Sequence, residues 1–232
     1  MSEICAVVGI GPGNGRSLTR RFAQAGHAVA MLSRNADYLR ELENEVNGAT
    51  AFPCDATDEA GVQSTFQRIE EQLGPVTTVI YNAGAGIFKN AEQADPEDFR
   101  ATWATNTLGL VHVAQAALPQ LRTRTPARLI VMGASAAWRG RAQTAPFASA
   151  KAAQRSLAQS LARQLGPEHI HVAYVVIDGV IDLPRTREML PDQPEEFFLN
   201  PDAIAESVWT LCQQDPSAWT FELDLRPFGE NW

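Results

Sequence analysis

Only two of the 232 residues are lysines, Lys89 and Lys151. Lys151 stands four residues after Phe147, in the run Phe147-Ala148-Ser149-Ala150-Lys151. The surrounding segment is alanine-rich, opens near Pro146 and stops at Gly166. That pattern predicts a helix with proline in its first turn and glycine just past its end. Four residues make one turn, so the ring and the ammonium share a face. The lysine brings a positive charge and a proton; the phenylalanine has no proton to give.

A second group of residues suits phosphate. Cys5-Ala6-Val7-Val8 reads as a buried parallel strand and runs into Gly9-Ile10-Gly11-Pro12-Gly13-Asn14-Gly15. Leu18, Phe22 and Ala25 then recur at helical spacing, and Gly26 ends the run. Strand, glycine-rich turn and helix together let backbone N–H groups approach a pyrophosphate at the helix N-terminus. The next strand, Ala28 to Leu32, ends in Ser33-Arg34-Asn35. An acid at that place would bond a ribose hydroxyl, whereas the Arg34 guanidinium suits a 2′-phosphate, so NADP(H) is expected over NAD(H). Arg16, in the first turn of the first helix, is placed to assist.

These groups need a scaffold, and the rest of the chain supplies one. Leu39, Leu42 and Val46 mark a second helix, and Val62, Phe66, Ile69 and Leu73 a third. A short strand through Phe52 leads to Asp55. Val76 to Ile80 is a β-branched strand leading into Tyr81-Asn82-Ala83-Gly84. Asp95-Pro96 opens a helix whose apolar stripe is Phe99, Trp103, Leu110 and Ala117, with Asn106 on that same stripe. A carboxamide on a buried face needs hydrogen-bond partners. Leu129 to Gly133 is a fifth strand, followed by Ala134-Ser135 and the arginine-bearing loop Trp138-Arg139-Gly140-Arg141, whose charges read as surface groups. Ile170 to Ile177 is a sixth, followed by Asp178-Gly179-Val180-Ile181-Asp182-Leu183. Residues at about 182–199 form a Pro- and Glu-rich loop, Asn200-Pro201 starts a last helix to Cys212, and Ala218 to Leu223 reads as a final strand. The tail through Phe228 and Trp232 is aromatic, apt to dock on its own subunit or a partner's. Strand–helix alternation over residues 1–232 predicts an α/β fold, a Rossmann-like doubly wound parallel sheet in a single domain.

In their order and spacing these motifs resemble the short-chain dehydrogenase/reductase family, over almost the whole chain. The resemblance rests on Gly9-x-x-x-Gly13-x-Gly15, Asp55, Asn82-Ala83-Gly84, Asn106, Lys151, and Gly179 with Ile181. It implies that Asp55 meets the adenine amino group and that Asn82 steadies the sheet and the cofactor pocket. Asn106 holds a water in a proton relay, and Lys151 binds the nicotinamide ribose. Gly179 and Ile181 lie beside the nicotinamide carboxamide, and 182–199 is a substrate lid. Val8 stands where the family usually has a threonine before the first glycine, and the other departures fall in the catalytic half. Phe147 stands where the family's proton-carrying tyrosine would be, Ala134 takes the serine's place with Ser135 beside it, and Asp178 and Leu183 replace a proline and a threonine.

The family chemistry is hydride transfer between nicotinamide and a carbonyl or alcohol carbon. Without the tyrosine, two readings stand. One is an NADP(H)-dependent oxidoreductase whose proton comes from Ser135, from water relayed through Asn106, or from the substrate. The other is an NADP(H) sensor or an inactive subunit. A net charge of −8 argues against nucleic acid and anionic membranes as partners, and no apolar run is long enough to span a bilayer. Cys5, Cys54 and Cys212 are scattered and odd in number, and the histidines show no ligand spacing, so a metal site and a disulfide framework are both unexpected. The scattered thiols make the cytoplasm the expected setting, and the family resemblance implies a homodimer or homotetramer built through the helices carrying Asn106 and Phe147.

Overall fold

The computed structural model describes residues 3–229. Seven strands form one parallel sheet: β1 (Ile4–Val8), β2 (Ala28–Ser33), β3 (Ala49–Pro53), β4 (Thr78–Tyr81), β5 (Ala127–Met132), β6 (Ile170–Ile177) and, at the far edge, a strand at Glu222–Leu225. The small ribbon β7 (Val180–Ile181) and β8 (Phe198–Leu199) is separate, which makes the edge strand β9. The sheet order is β3-β2-β1-β4-β5-β6-β9. The direction of winding reverses between β1 and β4, and in such sheets ligands bind beyond the carboxyl ends at that reversal.

Side-chain alternation along the buried strands feeds two cores. Ala6, Val8, Val79, Leu129, Val131, Val172 and Val176 face one way, toward α3 (Glu59–Leu73), α5 (Gly109–Leu121) and α6 (Ala145–Leu165). Cys5, Val7, Ile80, Ile130, Ala173 and Val175 face the other, toward α1 (Asn14–Gln24), α2 (Ala36–Glu45) and α8 (Pro201–Cys212). Both faces are covered, as the near-continuous apolar strands require.

The helix opened by Asp95 has a full capping box with Asp98 and carries proline in its first turn. It runs as α4 (Pro96–Trp103) and continues into α5 through a π-helical turn at Ala104–Leu108. Asn106 lies in that turn. Two threonines tie the region to α6: Thr102 Oγ1 donates to the Pro146 carbonyl at 3.2 Å, and Thr107 Oγ1 to the Ala150 carbonyl at 3.0 Å. The Tyr81 hydroxyl, fully buried at the end of β4, donates to the Thr105 carbonyl inside the turn.

Two elements differ from the sequence reading. The final strand spans Glu222–Leu225 rather than starting at Ala218, because Asp215 caps a 3-10 turn at Pro216–Ala218 and the Gln214 side chain takes the Thr220 N–H. Pairing with β6 begins only at Tyr174 opposite Glu222. The loop before α8 is also more ordered than a loop, holding α7 (Pro184–Met189) and β8. Phe228 is 91% exposed and does not dock on its own subunit; Trp232 lies outside the described residues.

Tyr81→Phe should leave the Thr105 carbonyl short of a donor and cost about 1–2 kcal/mol. A lowered urea midpoint with an unchanged m-value is the expected outcome.

Candidate active site

The candidate cofactor residues Gly9, Arg34, Asp55, Asn82, Ala83 and Gly84 gather at the carboxyl edge of the sheet. At the β1 end Gly9 has φ +95°, and a Cβ there would come within 2.3 Å of the Ala83 backbone nitrogen, so only glycine fits. The Asn82 side-chain amide donates to the Gly9 carbonyl at 2.7 Å and ties β4 to the glycine turn. Gly15 backs onto Ile10, its Cβ position 2.7 Å from the Ile10 Cα. Asn14 and Gly15 open α1, with Gly13 as its N-cap. That turn presents uncommitted backbone N–H groups where a pyrophosphate would sit.

A cleft of about 490 Å³ joins the ends of β1 to β4. Gly9, Arg34, Asp55, Asn82, Ala83 and Gly84 line it. In its wall the buried Ser33 hydroxyl has no hydrogen-bond partner. Arg34 is exposed at the cleft and lies beside Asp55. Burial works against the charged form of Asp55, but two hydrogen bonds from Thr57 and the Arg34 guanidinium together hold its carboxyl below the usual range. Arg16 does not join Arg34. It pairs with Glu45 of α2 at 2.8 Å, because the helical register aims it, like Arg20, at that carboxylate.

The second half of the site lies around α6. Lys151 is 5% exposed, and its ammonium donates to the Met132 carbonyl and to Gln154 Oε1, both at 3.0 Å. Burial pushes its pKa down to about 7. The Gln154 amide donates in turn to the Asn106 carbonyl at 2.7 Å. The Asn106 side-chain amide donates to the carbonyls of Ala85 and Thr102, both at 2.8 Å, which leaves its buried Oδ1 without a partner. Phe147 is half-buried, its ring centroid 6.0 Å from Lys151 Nζ and 5.3 Å from that of Phe88. Gln154 escaped the sequence reading. The one available signal was a carboxamide three residues after the lysine, on an otherwise small-residue helix.

Ser135 opens a 3-10 turn just after β5 (Ser135–Ala137) and hydrogen-bonds the Asp178 carboxylate. Asp178 is 2% exposed at the end of β6. Arg139 is not merely a surface charge: its Nη2 lies 2.9 Å from both Asp178 oxygens. Arg226 lies 3.9 Å from the same carboxylate and also pairs with Asp224. Burial alone would raise the Asp178 pKa. The Ser135 hydroxyl and the two guanidiniums outweigh it and hold the carboxyl low.

Gly179 follows Asp178 with φ +155° and packs on Pro227 and Leu199, and Ile181 pairs with Leu199 in the small ribbon. A Leu183 methyl leans on Gly13, and the Leu183 N–H is taken by the Thr186 hydroxyl at 3.0 Å. Arg187 pairs with Asp182 at 2.7 Å and covers the Phe198 ring at 4.1 Å, which staples α7 to the ribbon. Among the described residues no cluster of metal-ligating side chains occurs, and no helix is long and apolar enough to cross a membrane.

A short chain dehydrogenase family model matches residues 3–193. The 3-oxoacyl-acyl-carrier-protein reductase of Mus musculus is 30% identical over 199 residues, spanning 85% of this chain and 82% of that protein. A short-chain dehydrogenase from Rhodopseudomonas palustris superposes with a TM-score of 0.84 at 30% identity, covering 97% of this chain and 99% of the other. An alcohol dehydrogenase from Thermococcus sibiricus, complexed with 5-hydroxy-NADP, gives 0.88 at 25% identity, covering 100% and 99%. The chain belongs to the short-chain dehydrogenase family of NAD(P)-dependent oxidoreductases.

Asp178 contributes stability that is present above the unfolded carboxylate pKa of about 3.9 and is lost as pH falls through its lower folded value. Asp178→Asn should therefore flatten the acid limb of the stability curve below about pH 4, and cost about 1–3 kcal/mol at neutral pH through loss of a charge-assisted bond. Chemical denaturation at a series of pH values checks both.

Proposed function

We propose that this protein is an NADP(H)-preferring oxidoreductase acting on a carbonyl or alcohol carbon, with a rebuilt proton-transfer site. The observation carrying it is Arg34 at the cleft beside Asp55, with no acid at the end of β2. The 5-hydroxy-NADP bound by the Thermococcus sibiricus relative agrees with it. In this reading Gly9, Gly13, Asn14 and Gly15 receive the pyrophosphate, Asp55 the adenine, and Arg34 the 2′-phosphate. Asn82, Ala83 and Gly84 make room for the adenosine, and Lys151 takes the nicotinamide ribose. Gly179 and Ile181 border the carboxamide, with Leu183 giving contact but no hydroxyl. When bound, the nicotinamide supplies or accepts the hydride.

The chain's own residues handle the oxygen. Phe147 keeps the wall of the pocket and gives up general acid–base catalysis, a contribution of roughly 10²–10⁴-fold. Asn106 Oδ1 can hold a donor such as water, and Ser135 presents a hydroxyl whose orientation Asp178 sets. Residues 182–199 serve as a lid hinged at the small ribbon. The subunits pair through the helices of Asn106 and Phe147, and the three free thiols suit a cytoplasmic setting. The same cleft without turnover would be an NADP(H) sensor, a reading favoured by Phe147 itself.

NADPH should bind more tightly than NADH, and Arg34→Ala should weaken NADPH roughly 10–100-fold, equivalent to about 1.5–3 kcal/mol, with little change for NADH. Equal affinities in a fluorescence titration of the unaltered protein would remove the 2′-phosphate assignment. Phe147→Tyr should raise NADPH-dependent carbonyl reduction by up to about 10²-fold. No turnover by either form across a panel of aldehydes and ketones, with NADPH still bound, would turn the assignment to a sensor.

A further inference from the structure

Two polar groups beyond the end of β5 share one buried carboxylate. Asp178, just past β6, takes the Ser135 hydroxyl. It also takes Arg139, whose Nη2 lies 2.9 Å from both of its oxygens. The Arg139 backbone N–H donates to the Ser135 carbonyl at 3.1 Å, so one short turn of chain brings both side chains to Asp178. Groups bonded to one carboxylate stand within roughly 6–8 Å of each other.

Each of the two keeps a side for a ligand. A guanidinium has five N–H groups. The contact with Asp178 uses Nη2, while Nη1 and Nε donate to no described residue and the side chain is 42% exposed. Arg226 stands 3.9 Å from the same carboxylate and shares in neutralising it. The exposed Arg141, two residues on, adds positive charge with no described acid paired to it. Ser135 is half-buried, and with its proton committed to Asp178 it offers a ligand the lone pairs of its oxygen. It therefore suits a donor, such as an alcohol O–H, better than a carbonyl oxygen.

This pair lies at the reacting end of the site. Ser135 follows Met132, whose carbonyl holds the Lys151 amine, by three residues. The loop that carries Arg139 packs on the first turn of α6: a Cβ at Gly140 would stand 3.4 Å from that of Ala148, the residue after Phe147. An acceptor oxygen and a guanidinium with uncommitted donors are thus set side by side near the ring that replaces the tyrosine.

We propose that Arg139 is a specificity-determining residue for a carboxylate, and that the substrate couple is a small hydroxy acid and its oxo acid, with the hydroxyl one or two carbons from the carboxylate. The substrate hydroxyl donates to Ser135 Oγ, and the carboxylate takes the remaining N–H groups of Arg139. The assignment rests on the oxidoreductase reading above. In it the carbinol carbon gives its hydride to NADP+, which becomes NADPH, the hydroxyl proton passes to water, and the hydroxy acid becomes the oxo acid.

The test uses acids that have no hydride to give. 2-Hydroxyisobutyrate and 3-hydroxy-3-methylbutyrate carry no hydrogen on the carbinol carbon, and the primary amide of each is its neutral counterpart. Calorimetric titration into the NADP+-loaded protein should show at least one acid binding roughly 10-fold or more tightly than its amide. Arg139→Gln should bring acid and amide together. Because that change removes counter-charge from the buried Asp178, Arg139→Lys is its companion. It keeps a cation on Asp178, loses the planar fork, and should cut the preference to roughly 3-fold or less with NADP+ affinity unchanged. Equal binding of acid and amide to the unaltered protein overturns the proposal, as does a preference that survives both substitutions. A preference lost in both variants only together with NADP+ affinity marks a structural role and also overturns it. Oxidation of neutral alcohols with no preference for acids overturns it and leaves the oxidoreductase reading standing. An Arg139-dependent preference with no oxidation of lactate, 3-hydroxybutyrate or any neutral alcohol supports the carboxylate site and rejects the oxidoreductase reading instead. If NADP+ does not bind, the same titrations without cofactor decide the carboxylate site by the same criteria.

Discussion

A lysine amine taken out of water has to be satisfied by what surrounds it, and the buried Nζ of Lys151 organises much of this molecule's carboxyl edge. Its partners come from the end of β5 and from one turn along α6, and through Gln154 the contact extends to the π-turn between α4 and α5. Each partner has to be held in place by something else. Met132 is set by pairing with β6, and the π-turn by threonine bonds to α6 and by the Tyr81 hydroxyl beneath it. A helix of regular pitch would not put Asn106 in the same relation to Lys151. The irregular turn and the buried cation belong to one arrangement, in keeping with the way such turns gather at functional sites.

The sheet edge carries two separate electrostatic devices. At the β2–β3 end, Arg34 and Asp55 flank an open cleft, and the guanidinium is exposed. At the β6 end the pattern is inverted: a buried carboxylate, Asp178, is held between Arg139 and Arg226 and takes the Ser135 hydroxyl. Removing either side of a buried pair leaves an uncompensated charge, so Asp178 and Arg139 constrain each other. Between these ends the Lys151 amine lies among neutral groups: the carboxamides of Asn82, Asn106 and Gln154, and the aromatic pair Phe88 and Phe147. The residues that depart from the family pattern therefore touch groups that accommodate them. Phe147 packs with Phe88, Asp178 is matched by two arginines, and Leu183 leans on Gly13.

Much was legible in the order of residues because it depends on short-range physics. Short continuous apolar and β-branched runs named the strands, and helical spacing named the buried faces. The Asp95-Pro96 cap and the Pro146 to Gly166 limits of α6 follow from the chemistry of helix ends. The glycine turn was legible too, since Gly9 sits where a Cβ would strike the Ala83 backbone. Types and spacing likewise put Arg34, Asp55 and Asn82 just past the ends of their strands, Asn106 on a buried helical stripe and Lys151 one turn after Phe147 in α6.

What only the tertiary structure decided is which partner each polar group meets. Periodicity places Arg16 on a helix face but does not say that Glu45 of α2 waits there. It places Arg139 in a loop but not within 2.9 Å of Asp178, thirty-nine residues away. The last strand starts late because a capped turn and the β6 register overrule the strand-like run Trp219-Thr220-Phe221. Gln154 looked like one more helix residue, and its contact with Asn106 spans forty-eight positions of chain. Such contacts form only when packed helices bring distant segments together, and the energy of leaving a buried donor or acceptor unpaired then selects among them. The amino-acid order alone determined that this chain builds a dinucleotide-binding sheet with an amine beside an aromatic ring. The packing of α6 against the π-turn decided that this amine would be buried among neutral acceptors, with no phenol beside it.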